Sequence, residues 1–86
     1  MTRDEIREAV LQVLGGIAPE ADLSGIDPGV ELREQLDLDS MDLLNFVIAL
    51  HHKLDIEIPE ADYPRFVSVN TCIDYLSEML GGQADR

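Results

Sequence analysis

A small all-α domain is the fold this sequence predicts, and three observations predict it. Apolar residues recur at spacings of three and four in three separate segments, the period of an amphipathic helix. The apolar content is mainly aliphatic: Phe46, Phe66, Tyr63 and Tyr75 are the only aromatics, and there is no Trp. The length of 86 residues fits one compact domain, expected over residues 1–82, with 83–86 as a flexible tail. A core of that size is marginal and leaves little apolar surface for a deep active-site cleft.

The elements follow in chain order. Thr2 and Glu5 have capping-box spacing, and Asp4 and Glu5 occupy a first turn whose dipole favours acidic groups. Ile6, Ala9, Val10, Val13, Leu14 and Ile17 then form a helical stripe, with Gly15-Gly16 as the expected stop. From about Gly16 to Asp39 the turn formers Pro19, Gly25 and Asp27-Pro28-Gly29 predict a long connection. It carries Leu23, Ile26, Val30, Leu32, Leu36 and Leu38, too many apolar residues for a solvated linker. It should therefore lie across the helices, with a short turn at Leu32 to Leu36. A second helix is expected from Ser40 to Lys53 or Leu54, with Asp39 and Asp42 at its start. Leu43, Phe46, Val47, Leu50 and Leu54 share one face, and Met41, Leu44 and Ile48 widen it. That surplus either packs under the long loop or meets a partner protein or a bound apolar chain. Residues 59–63 predict one short turn that opens on Pro59 and that Pro64 stops. Ser68 caps a last helix with Val69, Cys72, Ile73, Leu76, Met79 and Leu80 as its stripe, ended by Gly81-Gly82.

Composition excludes several classes of function. The net charge of −12 repels nucleic acid and anionic lipid and favours encounter with basic partners. No stretch approaches the roughly 20 apolar residues of a membrane span. The first five residues lack the basic-then-apolar order of a signal peptide, so a cytoplasmic location is expected. Cys72 is the sole cysteine, with no zinc-ligand spacing around it, and its apolar helical neighbours predict a buried structural thiol.

Few residues can carry chemistry. His51 and His52 are the only histidines, and on one helix they stand roughly 16 Å from Ser40, too far for direct proton transfer. A catalytic triad is thereby disfavoured, and both histidines are read as structural. Asp37, Asp39 and Asp42 invite comparison with a calcium loop, but Met41, Asp42 and Ile48 stand where that motif needs a ligand, a glycine and the closing glutamate. No dedicated metal site is expected. Ser40 remains. From position alone it is an N-cap or its neighbour. A phosphate-linked group there would gain from the unpaired N–H groups of a helix start, opposed by the nearby aspartates.

The segment Leu36-Asp37-Leu38-Asp39-Ser40-Met41-Asp42-Leu43-Leu44 resembles the Asp-Ser-Leu segment of acyl carrier proteins. The likeness continues through Ile56-Glu57-Ile58-Pro59-Glu60, and from Ser68-Val69 to Ile73-Asp74-Tyr75-Leu76, so it covers the chain in order. The resemblance implies an acyl-carrier-like four-helix bundle: three longer helices, a short third helix and a long loop between the first two. It implies a carrier, not an enzyme, in which Ser40 receives 4′-phosphopantetheine from coenzyme A and Asp39 and Met41 flank the attachment site. The implied partners are a phosphopantetheinyl transferase and acyl-loading and acyl-processing enzymes with basic docking surfaces, met by a monomeric carrier. Met41 replaces the usual leucine, and Asp37 stands where many relatives have glycine. Where fatty-acid carriers commonly place carboxylates on the second helix, this chain has Asn45, His51, His52 and Lys53. The partner surface is thereby expected at Asp37, Asp42, Leu44, Ile48, Asp55, Glu57, Glu60 and Asp62, in a carrier dedicated to a narrower lipid or polyketide-type pathway. Two alternatives remain open: a carrier of aminoacyl or peptidyl groups, and a non-carrier helical interaction domain.

Overall fold

The computed structural model describes residues 2–81, and among these every regular element is helical. The tail expected at 83–86 and the expected stop at Gly82 lie outside them. Helix α1 spans Arg3–Ile17 and opens on the predicted capping box of Thr2 and Glu5. Its buried side chains are Ile6, Ala9, Val10 and Leu14, while Val13 and Ile17 pack at the margin of the core. The helix does not stop at Gly15-Gly16. A glycine stop needs a left-handed backbone, and no described glycine has a positive φ. Instead α1 ends at Ala18, which Pro19 forces out of the helical region.

The long connection lies across the helices as expected. It contains a 3₁₀ turn at Leu23–Gly25, capped by Asp22, and a short helix α2 at Leu32–Gln35. The Gln35 side chain accepts from the Asp27 amide at 3.0 Å and donates to the carbonyls of Asp27 and Val30 at 2.8 and 3.1 Å. Backbone bonds from Leu32 to the Val67 carbonyl (2.7 Å) and from Asn70 to the Pro28 carbonyl (2.9 Å) tie the loop to the last helix. Leu32 and Leu38 are buried, but Val30 is exposed at the tip of the turn that Gly29 and Asp27 close.

Helix α3 spans Ser40–Leu54 and buries Phe46, Val47 and Leu50. A 3₁₀ helix follows at Glu60–Arg65. It differs from the predicted turn at both ends: Pro59 is its cap and not its first residue, and Pro64 lies inside it. A proline removes one N–H, which a short 3₁₀ segment tolerates while Asp62 bonds the Pro59 carbonyl and Phe66 the Tyr63 carbonyl. Helix α4, Val69–Leu76, starts on a capping box of Ser68 and Thr71 and continues as a π-helical turn, Ser77–Gly81. The change to wider hydrogen-bond spacing shifts the register of the apolar stripe. Met79 is accordingly exposed, against expectation, while Leu80 still packs on the core.

Helix α1 packs on α3 and α4. At the centre of the core, Phe66 meets Phe46 edge-on at 6.5 Å between ring centroids and Tyr75 at 5.0 Å. Cys72 is fully buried, and burial pushes its thiol up to about 12, which keeps it protonated and unreactive.

Candidate functional site

Ser40 is exposed at the first position of α3. The cap is Asp39. Its carboxylate accepts from the Asp42 amide at 2.8 Å, and the Asp42 carboxylate accepts from the Asp39 amide at 3.3 Å. A helix start leaves its first-turn N–H groups without intrahelical partners. The reciprocal cap takes those of Asp39 and Asp42 and leaves the Ser40 and Met41 amides as the remaining first-turn donors. Two N–H groups and the helix dipole favour a phosphate there, and two adjacent carboxylates oppose one. Such a balance does not hold free phosphate well, but it tolerates one attached by a covalent bond.

The backbone before Ser40 is fixed by a left-handed turn. Asp37 has φ 55°, and the Leu38 amide donates back to the Arg33 carbonyl at 3.1 Å, closing the end of α2. Leu38 is buried by this turn, so Ser40, two residues on, emerges at the rim. The left-handed φ accounts physically for the preference for glycine at this position that the resemblance carries; aspartate tolerates the conformation better than most residues.

Beside Ser40 lies an apolar cleft of about 290 Å³ lined by Ser40, Leu43, Leu44, Tyr63 and Pro64. Leu43, Tyr63 and Pro64 also wall a second cleft of about 180 Å³ that reaches Arg33 and Val67. Sequence reasoning placed Leu43 in the core and gave Tyr63 and Pro64 no role beyond a turn and its stop. The local signal in the sequence is a tyrosine next to a proline in an otherwise polar turn.

The surplus apolar arc of α3 is not covered by the long loop. Met41, Leu44 and Ile48 are 62%, 37% and 39% exposed and run along one side of the helix from Ser40. Asp37 is also exposed at this end, and Glu60 is exposed at the start of the 60–65 segment. Asp62 is half-buried and accepts a hydrogen bond from the Tyr75 hydroxyl at 2.7 Å. Asp55 and Glu57 are not brought to Ser40. Asp55 ends α3, about 22 Å along the helix axis. His51, half-buried, donates from Nδ1 to the Ile56 carbonyl and so ties the chain after α3 back to its last turn, and His52 faces solvent. Among the described residues no three His, Cys, Asp or Glu side chains converge as metal ligands.

Comparison with known proteins bears on this site. The sequence profile of the family described as "Phosphopantetheine attachment site" matches residues 4–76. The acyl carrier protein of Rubrobacter xylanophilus is 31% identical over 75 residues, covering 84% of this chain and 93% of that protein. That of Campylobacter fetus is 29% identical over 73 residues, covering 85% and 88%. The mitochondrial acyl carrier protein of Neurospora crassa is 30% identical over 76 residues, covering 88% of this chain and 57% of the relative. In fold, the acyl carrier protein of Enterococcus faecalis superposes with a TM-score of 0.75 at 22% identity, over 92% of this chain and 99% of that one.

Proposed function

The chain belongs to the acyl carrier protein family, whose members are carriers and not enzymes, and from that membership we propose that Ser40 is where this chain holds its 4′-phosphopantetheine. One observation carries the assignment: Ser40 is an exposed residue at the first position of a helix closed by a reciprocal cap, with an apolar cleft at its side. When bound, the arm supplies a terminal thiol that holds an acyl group as a thioester. The Asp39 and Asp42 carboxylates beside Ser40 are engaged in the reciprocal cap of α3, and attachment falls to a separate transferase. Ser40 Oγ would hold the arm through a phosphodiester bond, with the nucleotide part of coenzyme A as the leaving group and the hydroxyl proton passing to solvent or enzyme. The dipole of α3 favours the resulting phosphodiester. Leu43, Leu44, Tyr63 and Pro64 offer apolar surface to the arm or to cargo folded back on it. Burying each CH₂ contributes about 0.8 kcal/mol, so such shielding is reversible.

The partner surface follows from the same end of the molecule. Met41, Leu44 and Ile48 provide an apolar footing, and Asp37, Asp39, Asp42 and Glu60 an acidic rim that steers basic enzymes and loses force with salt. Asp55 and Glu57 join it only for a partner that spans the length of α3. Asn45, His52 and Lys53 are exposed on α3, which supports a restricted set of partners in a specialised lipid or polyketide-type pathway, reached by a monomeric cytoplasmic carrier. The test is intact mass after incubation with coenzyme A and a broad-specificity transferase. One phosphopantetheine is expected on the native chain and none on Ser40→Ala; an addition that survives in the variant sinks the assignment.

A further inference from the structure

The 60–65 segment forms one wall of the cleft beside Ser40, yet little in its own sequence holds it there. It has no side-chain cap, contains Pro64 and buries none of its six residues. Short 3₁₀ helices of this kind have weak hydrogen-bond geometry. Tyr63 packs at the margin of the core, and the polar attachment of the segment to α4 centres on one side chain. The Tyr75 hydroxyl donates to Asp62 Oδ2 at 2.7 Å, and the Arg65 guanidinium lies 4.8 Å from the centre of the Tyr75 ring. Tyr75 is itself 2% exposed and packed against Phe66. Asp62 and Arg65 bracket the two residues that line the cleft, Tyr63 and Pro64. Holding the outer pair therefore sets where the inner pair stands.

We propose that Tyr75, gripping Asp62 and Arg65, is a latch that sets the width of the cleft beside Ser40. The three are positioning residues, which act on the cleft through Tyr63 and Pro64. The directional bond to the carboxylate carries most of the grip, because a hydrogen bond to a charged acceptor is among the stronger kinds. The nearby Arg65–Glu78 pair, at 3.7 Å with side chains 50% and 70% exposed, carries little. Use of the latch in controlling access of arm or cargo rests on the Ser40 reading above; its effect on the cleft does not.

The experiment uses the whole unmodified chain, so that it stands apart from the transferase assay. Hydrogen exchange is followed by peptide for the native protein, Tyr75→Phe, Asp62→Ala and Glu78→Gln, with uptake of the neutral dye Nile red reporting the cleft. Amides of 60–67 should exchange about tenfold faster or more in Tyr75→Phe and Asp62→Ala, where tenfold corresponds to about 1.4 kcal/mol. Amides of α1 should change far less, and dye emission should rise and shift to the blue. Glu78→Gln should match the native protein. A merely structural role would speed exchange in α1 and in 60–67 together, and that result overturns the proposal. So does an unchanged 60–67 segment, or a Glu78→Gln effect equal to that of Tyr75→Phe. Should Tyr75→Phe fail to fold, Asp62→Ala gives the same test, since it removes an acceptor at the margin of the core and leaves Tyr75 in place.

Discussion

The scaffold of α1, α3 and α4 and the rim around Ser40 are held by different kinds of contact. In the scaffold Ile6, Val10, Leu14, Phe46, Leu50, Val69, Cys72 and Leu76 are all fully buried. Such burial is non-directional and shared among many neighbours, so it yields one cooperative unit. In the rim, beyond the buried side chains of Leu32 and Leu38, the contacts are few and directional: the three bonds of Gln35, the Leu32 amide to the Val67 carbonyl, the left-handed turn at Asp37, and Tyr75 on Asp62. Each can be lost without the others. The difference teaches where a carrier domain can move: stability is held away from Ser40, and the parts that must admit an arm or a partner hang on separable bonds.

The largest way to break that comparison is in the scaffold. Leu14→Ala should cost about 2–5 kcal/mol through lost burial and the cavity left behind. In a domain this small each kcal/mol lowers the melting temperature by roughly 4–8 °C. Guanidinium titration should show a lower midpoint with an unchanged slope, and all regions should lose exchange protection together. A loss confined to α1 would mean that the scaffold is not one unit.

Next in size is the response to alkali, which probes the interior where the two regions meet. Burial pushes the Cys72 thiol from 9.0 up to about 12. Tyr75 is pushed from 10.0 up to about 12, first by burial, then by the Asp62 hydrogen bond and charge, with Glu78 adding and Arg65 opposing. Both groups keep their protons in the folded state at a pH where the unfolded chain has lost them. Their stabilisation is therefore complete below their ordinary values and is lost as the pH rises toward about 12. The decline should be at most about 1.4 kcal/mol per pH unit for Cys72 and smaller for Tyr75, whose hydroxyl lies nearer solvent. Guanidinium midpoints measured every half pH unit between about pH 8 and pH 11 should fall, and Tyr75→Phe should flatten the part above about pH 10. A flat native profile would show that neither group is as buried as its packing implies.

The two regions also differ in how much of them is legible in the sequence. Helix starts are legible because caps are local: Thr2 with Glu5, Asp39 with Asp42 and Ser68 all cap helices where their spacing places them. Helix ends are less so. Gly15-Gly16 has the composition of a stop, but Ile17 and Ala18 gain packing by continuing the helix, and Pro19 then ends it. Met79 has the spacing of a core residue and loses that role to the π turn. The place of Ser40 at a helix start is legible from the cap and the helical stripe that follows it. The cleft beside it is not, because Tyr63 and Pro64 reach Leu43 and Leu44 only through the tertiary fold. The grip of Tyr75 on Asp62, 13 residues apart, leaves no periodic trace either. Asp55 and Glu57 read as part of one acidic surface with Asp37 and Asp42, and the length of α3 separates them from Ser40.

The smallest expected effect sharpens the comparison from the rim side. Asp37 holds φ 55° at the turn that delivers Ser40. A β-branched residue there should cost about 1–2 kcal/mol, because its Cβ crowds the following carbonyl in the left-handed region. Glycine should be at least as stable as aspartate, since it meets no such crowding. Charge complicates the reading: in a chain of net charge −12, removing any one carboxylate relieves repulsion. Asp37→Asn separates the two causes, because it removes the charge and keeps a side chain that tolerates the left-handed region. The expected order of denaturation midpoints is Gly at or above Asn, Asn at or slightly above Asp, and Val clearly last. Exchange in Asp37→Val should rise at residues 36–42 before it rises in α1. If Asp37→Val instead matched Asp37→Asn, the turn would be set by its neighbours and not by its own backbone. The rim would then be as cooperative as the scaffold.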